Sequence, residues 1–419
     1  MSHSVNLGNR RQRIITRRCT RRRFLAWTAA FSTLPALVAR NSVTPADALD
    51  KCIEDFMKER GTPGGALAVV KNRRLVYTRG YGWADRDQKL PVTPESLFRI
   101  ASISKPITAV AILKLAEQHK LALEDRVFEL LGLDARLPKG TTLDPRWRQI
   151  TGAQLLHHTG GWDSDKSGDP MFLGKEYLAK RFPELPSGSP WTVIVHQLTR
   201  PLDFDPGTRY AYSNFGYCLL GRAIEKVTGQ SYESFVQQSV LAPAGIKRMR
   251  LGHTLARADG EVRYYAKDQH ATTAFNLEAM DSHGGWIASA VDLARFAAAL
   301  DDPQRSALLK PDSFATMYAP PPPPVWRKPD GSLEDAYYGC GWSVRPVGKS
   351  GKANYWHAGS LPGTATLLVR RWDGFSWAVL FNQRSDDRHL PDSAIDPALH
   401  RAVDSVTSWP TEDLFSRYS

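Results

Sequence analysis

Leu97-Phe98-Arg99-Ile100-Ala101-Ser102-Ile103-Ser104-Lys105 runs on through Pro106-Ile107-Thr108-Ala109-Val110-Ala111-Ile112-Leu113 to His119. Residues 103–119 are apolar almost all round, which predicts a helix buried inside a domain. Ser102 and Lys105 stand three apart at its start and so share one face, where the amine can approach the hydroxyl. A helix N-terminus also offers the positive end of its dipole and free N–H groups that can hold an oxyanion. Burial of this helix would desolvate Lys105, favour its neutral form and make it a proton acceptor. Taken singly, the motif also describes an ordinary helix start.

Outward from this helix the chain changes character. Residues 65–70 and 75–80 are short β-type runs around the polar turn Lys71-Asn72-Arg73-Arg74, a hairpin pattern. Near the other end, residues 364–369 and 375–381 flank a loop ending in Asp373-Gly374, a stronger hairpin signal. Residues 338–344 and 353–357 read as further strands. The middle, from about 101 to 310, is helix-rich. Residues 215–227 carry apolar groups at helical spacing, with Asn214 or Ser213 placed to cap them and Gly229 to stop them. Residues 291–300 are another helix, the prolines of 320–324 form a stiff segment leading back to strands, and 396–406 make a terminal helix. The expected fold is α+β: an antiparallel sheet flanked by helices and built from both chain ends, with a helix-rich lobe inserted. The sheet lobe would take residues 40–100 and 325–419, and the helical lobe 101–324.

Two further motifs carry chemistry. Tyr212-Ser213-Asn214 stands just ahead of the 215–227 helix. A tyrosine hydroxyl near a lysine ammonium can be drawn toward phenolate and relay a proton, and an asparagine amide can bind a carbonyl and orient the lysine. Asn214 as a helix cap and Tyr212 as packing is the plainer alternative. His357-Ala358-Gly359-Ser360 ends a predicted strand. Gly359 permits close backbone approach there, and the Ser360 N–H can complete an oxyanion hole.

In this order and spacing the three motifs resemble the serine β-lactamase and penicillin-binding-protein superfamily, most closely its class C β-lactamase-like branch of carboxypeptidases, D-aminopeptidases and carboxylesterases. Leu155-Leu156-His157-His158-Thr159-Gly160-Gly161, the continuation of Tyr212 into Leu219-Leu220-Gly221, and Gly284-Gly285 ahead of Asp292-Leu293-Ala294-Arg295-Phe296 extend the resemblance over roughly residues 45–385. It implies an exported serine hydrolase of esterase, D-aminopeptidase or DD-carboxypeptidase type. Ser102 would be the acylated nucleophile, Lys105 its proton acceptor and Tyr212 the proton shuttle. Asn214 would bind the acyl side-chain amide, and the N–H groups of Ser102 and Ser360 the oxyanion. A non-catalytic binder of peptidoglycan-type ligands is the alternative. The third motif departs from the family's Lys-Thr-Gly: a neutral His357 and an Ala358 without a hydroxyl weaken the hold on a substrate carboxylate.

Composition limits the remaining classes. At 42% apolar and 23% charged residues, the 419-residue chain has the make-up of a globular protein and not of a coiled-coil or disordered one. The formal charge of +12 is concentrated in the leader: residues 1–39 carry eight arginines and no acid, so without them +4 remains. Nucleic acid is therefore not an expected partner. Thr20-Arg21-Arg22-Arg23-Phe24-Leu25, followed by apolar residues to Ala39, resembles a twin-arginine export signal. This implies periplasmic or otherwise exported delivery, with membrane contact only through an uncleaved leader. Cleavage would fall after Ala39 or after Ala48. Cys52, Cys218 and Cys340 form no disulfide framework by their spacing, and no His-Glu-x-x-His or Gly-x-Ser-x-Gly occurs. No metal or cofactor is expected, only a small-molecule or peptide substrate.

Overall fold

Strands from the two ends of the chain meet in one eight-stranded antiparallel sheet. The computed structural model describes residues 43–348 and 351–418, so the twin-arginine-like leader lies outside the described residues. β1 (Gly64–Lys71) and β2 (Arg74–Asp85) form the first expected hairpin, its turn made by Asn72 and Arg73 at positive φ. β3 (Leu90–Pro91) borders β2. β10 (Thr364–Arg370) and β11 (Phe375–Phe381) form the second hairpin, turned by Gly374 at φ +82°. With β7 (Tyr337–Tyr338), β8 (Ser343–Val347) and β9 (Lys352–Leu361), the sheet runs β3-β2-β1-β11-β10-β9-β8-β7, so β1 and β11 join the chain ends at its centre. β9 (Lys352–Leu361) extends past the expected 353–357.

The run at 338–344 is not one strand. It divides into β7 (Tyr337–Tyr338) and β8 (Ser343–Val347), which pair with each other. The intervening Gly341 sits at φ +79°, and a Cβ there would meet Ala109 at 2.8 Å, so the turn is pressed against the buried helix. A turn glycine inside an apolar run is what the strand reading passed over.

Both sheet faces are covered, which explains why β1 is buried almost throughout rather than alternating. On one face Leu67, Val69, Leu367 and Trp377 pack with Leu49 and Ile53 of α1 (Pro45–Arg60) and Leu399 and Val403 of α5 (Ile395–Ser405). Helix α1 had no counterpart in the sequence reading. Thr44 caps it in a reciprocal capping box with Asp47, so the Ala46–Ala48 cleavage candidate lies in its first turn. On the other face Ala66, Ala68, Val70 and Leu380 pack with α2 (Ser104–Glu117) and α4 (Ala290–Ala299) in a single apolar cluster. Between them in the chain comes α3 (Asn214–Thr228), which packs on α2 and is capped by Ser213 and stopped by Gly229 in the left-handed region. A small second sheet, β4 (Phe98–Arg99), β6 (Trp286–Ala288) and β5 (Arg250–Leu251), borders the start of α2.

Candidate active site

The approach to Ser102 is pinned from several directions. Arg99, only 2% exposed, donates to the carbonyls of Thr272, His253 and Thr254, and its guanidinium lies 4.3 Å over the Tyr264 ring. The Ile100 N–H bonds the Trp286 carbonyl at 3.0 Å. Ala101 then takes φ +48°, a left-handed conformation that costs an L-residue roughly 1–2 kcal/mol and persists only where the surroundings enforce it. The tight turn Ala101–Ile103 presents Ser102, half-buried, two residues ahead of α2.

One helical turn on, Lys105 is fully buried and its Nζ has three oxygen neighbours: Ser102 Oγ at 3.0 Å, Asn214 Oδ1 at 2.6 Å and the His283 carbonyl at 3.0 Å. Burial lowers the lysine pKa well below its ordinary value, against an opposing pull from the Asp169 carboxylate. The amide and peptide oxygens can only accept. A neutral amine has two N–H groups to satisfy them, which leaves its lone pair for the Ser102 hydroxyl. The burial expected of Lys105 is present.

Asn214 is free for this contact because Ser213, not Asn214, caps α3: Ser213 Oγ accepts from the Gly216 N–H at 3.3 Å. Asn214 Nδ2 in turn donates to Asp169 Oδ2 at 2.6 Å. The Tyr212 ring lies beside Lys105, with Nζ 4.7 Å from its centroid. Burial raises the Tyr212 pKa, so at neutral pH it is a phenol with a proton to give. Burial thus favours the uncharged forms of both Lys105 and Tyr212.

β9 brings the third motif alongside. A Cβ on Gly359 would lie 2.3 Å from both the Ile100 carbonyl and Thr366 Oγ1, so glycine is what lets this strand close on the turn before Ser102. β8 pairs with β9 only from Lys352 to Trp356; among the described residues no strand covers that edge from His357 to Leu361. The buried His357 ring has Nδ1 at 2.7 Å from the Ala358 carbonyl and Nε2 at 2.9 Å from Tyr338 Oη. Nδ1–H donates and Nε2 accepts, which suits a neutral imidazole, and burial takes the pKa down to about 3. Ala358 and Ser360 point to the opposite face, into a groove of about 400 Å³ shared with Trp356, Leu367 and Ile395.

Ser102, Lys105, Tyr212 and Asn214 are therefore one contact cluster, with His357 a ring neighbour of Tyr212 at 6.3 Å and Gly359 against the Ser102 turn. Four further residues belong to it. Asp169 holds Asn214, Tyr338 holds His357, and His283 supplies the carbonyl for Lys105. His158 accepts from the Ser213 N–H at 3.1 Å and packs 4.3 Å from the Tyr212 ring. The Leu155–Gly161 motif pointed toward His158; nothing local marks Asp169 or Tyr338.

Comparison with known proteins bears on the family and the fold. The β-lactamase family model matches residues 49–399. Penicillin-binding protein 4* of Bacillus subtilis (strain 168) is 27% identical over 373 residues, 83% of this chain and 74% of that protein. Among solved structures, the D-amino acid amidase from Ochrobactrum anthropi SV3 superimposes with a TM-score of 0.68 at 20% identity, over 86% of this chain and 98% of the other. EstCE1, a hydrolase with promiscuous acyltransferase activity, gives a TM-score of 0.66 at 19% identity over the same shares. At these identities the two structural likenesses establish the shared fold.

Proposed function

The chain belongs to the β-lactamase family, and on that premise we propose that it is an exported serine hydrolase that acylates Ser102 and passes the acyl group of an ester or amide to water. The observation that carries this reading is the setting of Lys105: buried, 3.0 Å from Ser102 Oγ, with two acceptor-only oxygens occupying its N–H groups. In acylation the Ser102 proton moves to the Lys105 lone pair as Oγ bonds to the substrate carbonyl carbon. The backbone N–H groups of Ser102 and Ser360 would hold the resulting oxyanion. Tyr212 gives its proton to the departing oxygen or nitrogen and recovers one from Lys105. Water then attacks the acyl-enzyme, its proton returns through the same pair, and Ser102 Oγ leaves as the hydroxyl.

His357 shapes the substrate range: a neutral imidazole offers a substrate carboxylate no charge, which favours neutral esters or D-peptide-type amides over β-lactams. Arg21-Arg22 and the apolar stretch behind them support delivery through the twin-arginine route.

Turnover of p-nitrophenyl acetate and butyrate tests the reaction. Ser102→Ala should lower kcat by on the order of 10³-fold or more with little change in folding, since nothing else nearby can form the acyl-enzyme. Turnover preserved in that variant would move the chemistry to another residue, and turnover absent from the wild type would leave a ligand-binding protein; either result would overturn the reading.

A further inference from the structure

A cavity of about 730 Å³ lies outside the catalytic cluster, where the β1–β2 and β10–β11 turns meet at one end of the main sheet. Across those turns the Asn72 N–H bonds the Gly374 carbonyl at 2.8 Å. The other walls are the first half of β9, the loop that follows α4 and the short helix Pro311–Tyr318. Ser102, Lys105, Tyr212 and Asn214 take no part in it. Along β9 the cavity reaches Tyr355, which pairs with Arg370, whereas Gly359 at the Ser102 turn pairs with Thr366. Four residues of extended strand put the two places about 13 Å apart.

Five cationic residues line this cavity, and two of them are matched within the protein. Arg370 is buried, pairs with Asp301 at 3.4 Å and donates to Tyr318 Oη and the Leu300 carbonyl. Arg371 pairs with Asp373 and Asp404. Among the described residues Arg73, Arg305 and Lys352 form no ion pair. Arg73 Nη1 is buried without a hydrogen-bond partner; Asp301 lies close enough to feel this guanidinium but is committed to Arg370. Lys352 Nζ rests 3.9 Å from the centre of the Trp372 ring. The one further acid on the walls, Asp302, accepts from the Gln304 N–H at 3.0 Å. Three unmatched cations against that single carboxylate, 3 − 1, leave a surplus of two positive charges.

A monocarboxylate would cancel half of that surplus. A phosphate monoester carries nearly two negative charges at neutral pH and three terminal oxygens, so it cancels the whole and suits forked guanidinium donors. The volume is that of a small-molecule site and leaves room for an organic part beyond the phosphate. We infer that this cavity is a second ligand site, which takes a phosphate monoester and holds its anion with Arg73, Arg305 and Lys352. Trp372, 44% exposed beside these cations, offers its ring to the organic part. The site stands apart from the hydrolase reading and does not depend on it. Soluble phosphate esters and lipid phosphate headgroups share this chemistry, and the experiment separates them.

The experiment is calorimetric titration of the protein with phenyl phosphate and with benzoate, at neutral pH and low salt. Phenyl phosphate should bind at least about tenfold more tightly than benzoate and lose affinity as salt rises. Arg73→Gln and Arg305→Gln, made separately, should each weaken phenyl phosphate about tenfold, as expected for the loss of a charge-assisted contact. Arg305 is exposed, so its replacement should leave thermal unfolding of the unliganded protein unchanged and keeps the test decisive if Arg73→Gln fails to fold. No binding of phenyl phosphate, equal binding of benzoate, or wild-type affinity in Arg305→Gln would overturn the inference. Phosphatidylcholine vesicles carrying phosphatidic acid present the same monoester on a bilayer. If they displace phenyl phosphate, the site takes a lipid headgroup; if they do not, it takes a soluble phosphate ester.

Discussion

At the position of Gly359 a missing side chain decides the site's geometry. The Ile100 carbonyl and Thr366 Oγ1 occupy the space a Cβ would need, and the two are themselves hydrogen-bonded at 3.1 Å. Gly359→Ala must push β9 away from the turn that presents Ser102, at a cost of about 1–3 kcal/mol. We expect a loss of esterase kcat/KM of on the order of 10²-fold with a Tm lower by several degrees, measured by p-nitrophenyl butyrate turnover and thermal unfolding. Wild-type activity in that variant would show that the strand does not need this approach. The residue was legible because His-x-Gly at a strand end, after the two earlier motifs, leaves few roles for its glycine. Asp169 was not legible. An Asp before a Pro in a polar stretch is an ordinary turn signal, and only tertiary folding puts it on Asn214.

Among the elements, local signals served best where polar and apolar residues alternate or caps punctuate the chain. The Ser213–Gly229 helix follows from its cap, apolar spacing and stop, and both hairpins from their turns. Which of Ser213 and Asn214 does the capping was open in the sequence, since both residue types cap well. The structure gives the task to Ser213, and that choice frees the Asn214 amide for Lys105 and Asp169. The division of residues 338–344 into β7 and β8 was missed because the turn, Gly339-Cys340-Gly341, is embedded in an apolar run and is itself buried. Helix α1 was overlooked beside the leader, although Thr44 and Asp47 form a capping box and Leu49, Ile53 and Phe56 keep helical spacing.

Across the whole molecule, the burial that serves catalysis sets a pH limit on stability. His157, His158, His283 and His357 are all buried with lowered pKa values, His357 at about 3. In the unfolded chain each titrates near 6.5. Below that value the unfolded state binds protons that the folded state refuses, so stability is present above about pH 6.5 and lost as pH falls. Each fully buried histidine should remove about 1.4 kcal/mol per pH unit until its folded pKa is reached. Urea unfolding at pH 7.5, 6 and 4.5 should therefore show midpoints falling steeply in acid. An unchanged midpoint across that range would mean that these imidazoles can ionise in place.

The central claim, that a neutral Lys105 activates Ser102, is tested most directly by the rate of fluorophosphonate labelling as a function of pH, with the adduct located by peptide mapping. The account predicts a single adduct on Ser102 and a rate that reaches its plateau well below the ordinary lysine pKa, because burial lowers the Lys105 pKa. A rate that climbs tenfold per pH unit toward an ordinary lysine pKa near 10.4, or an adduct on another residue, would contradict it.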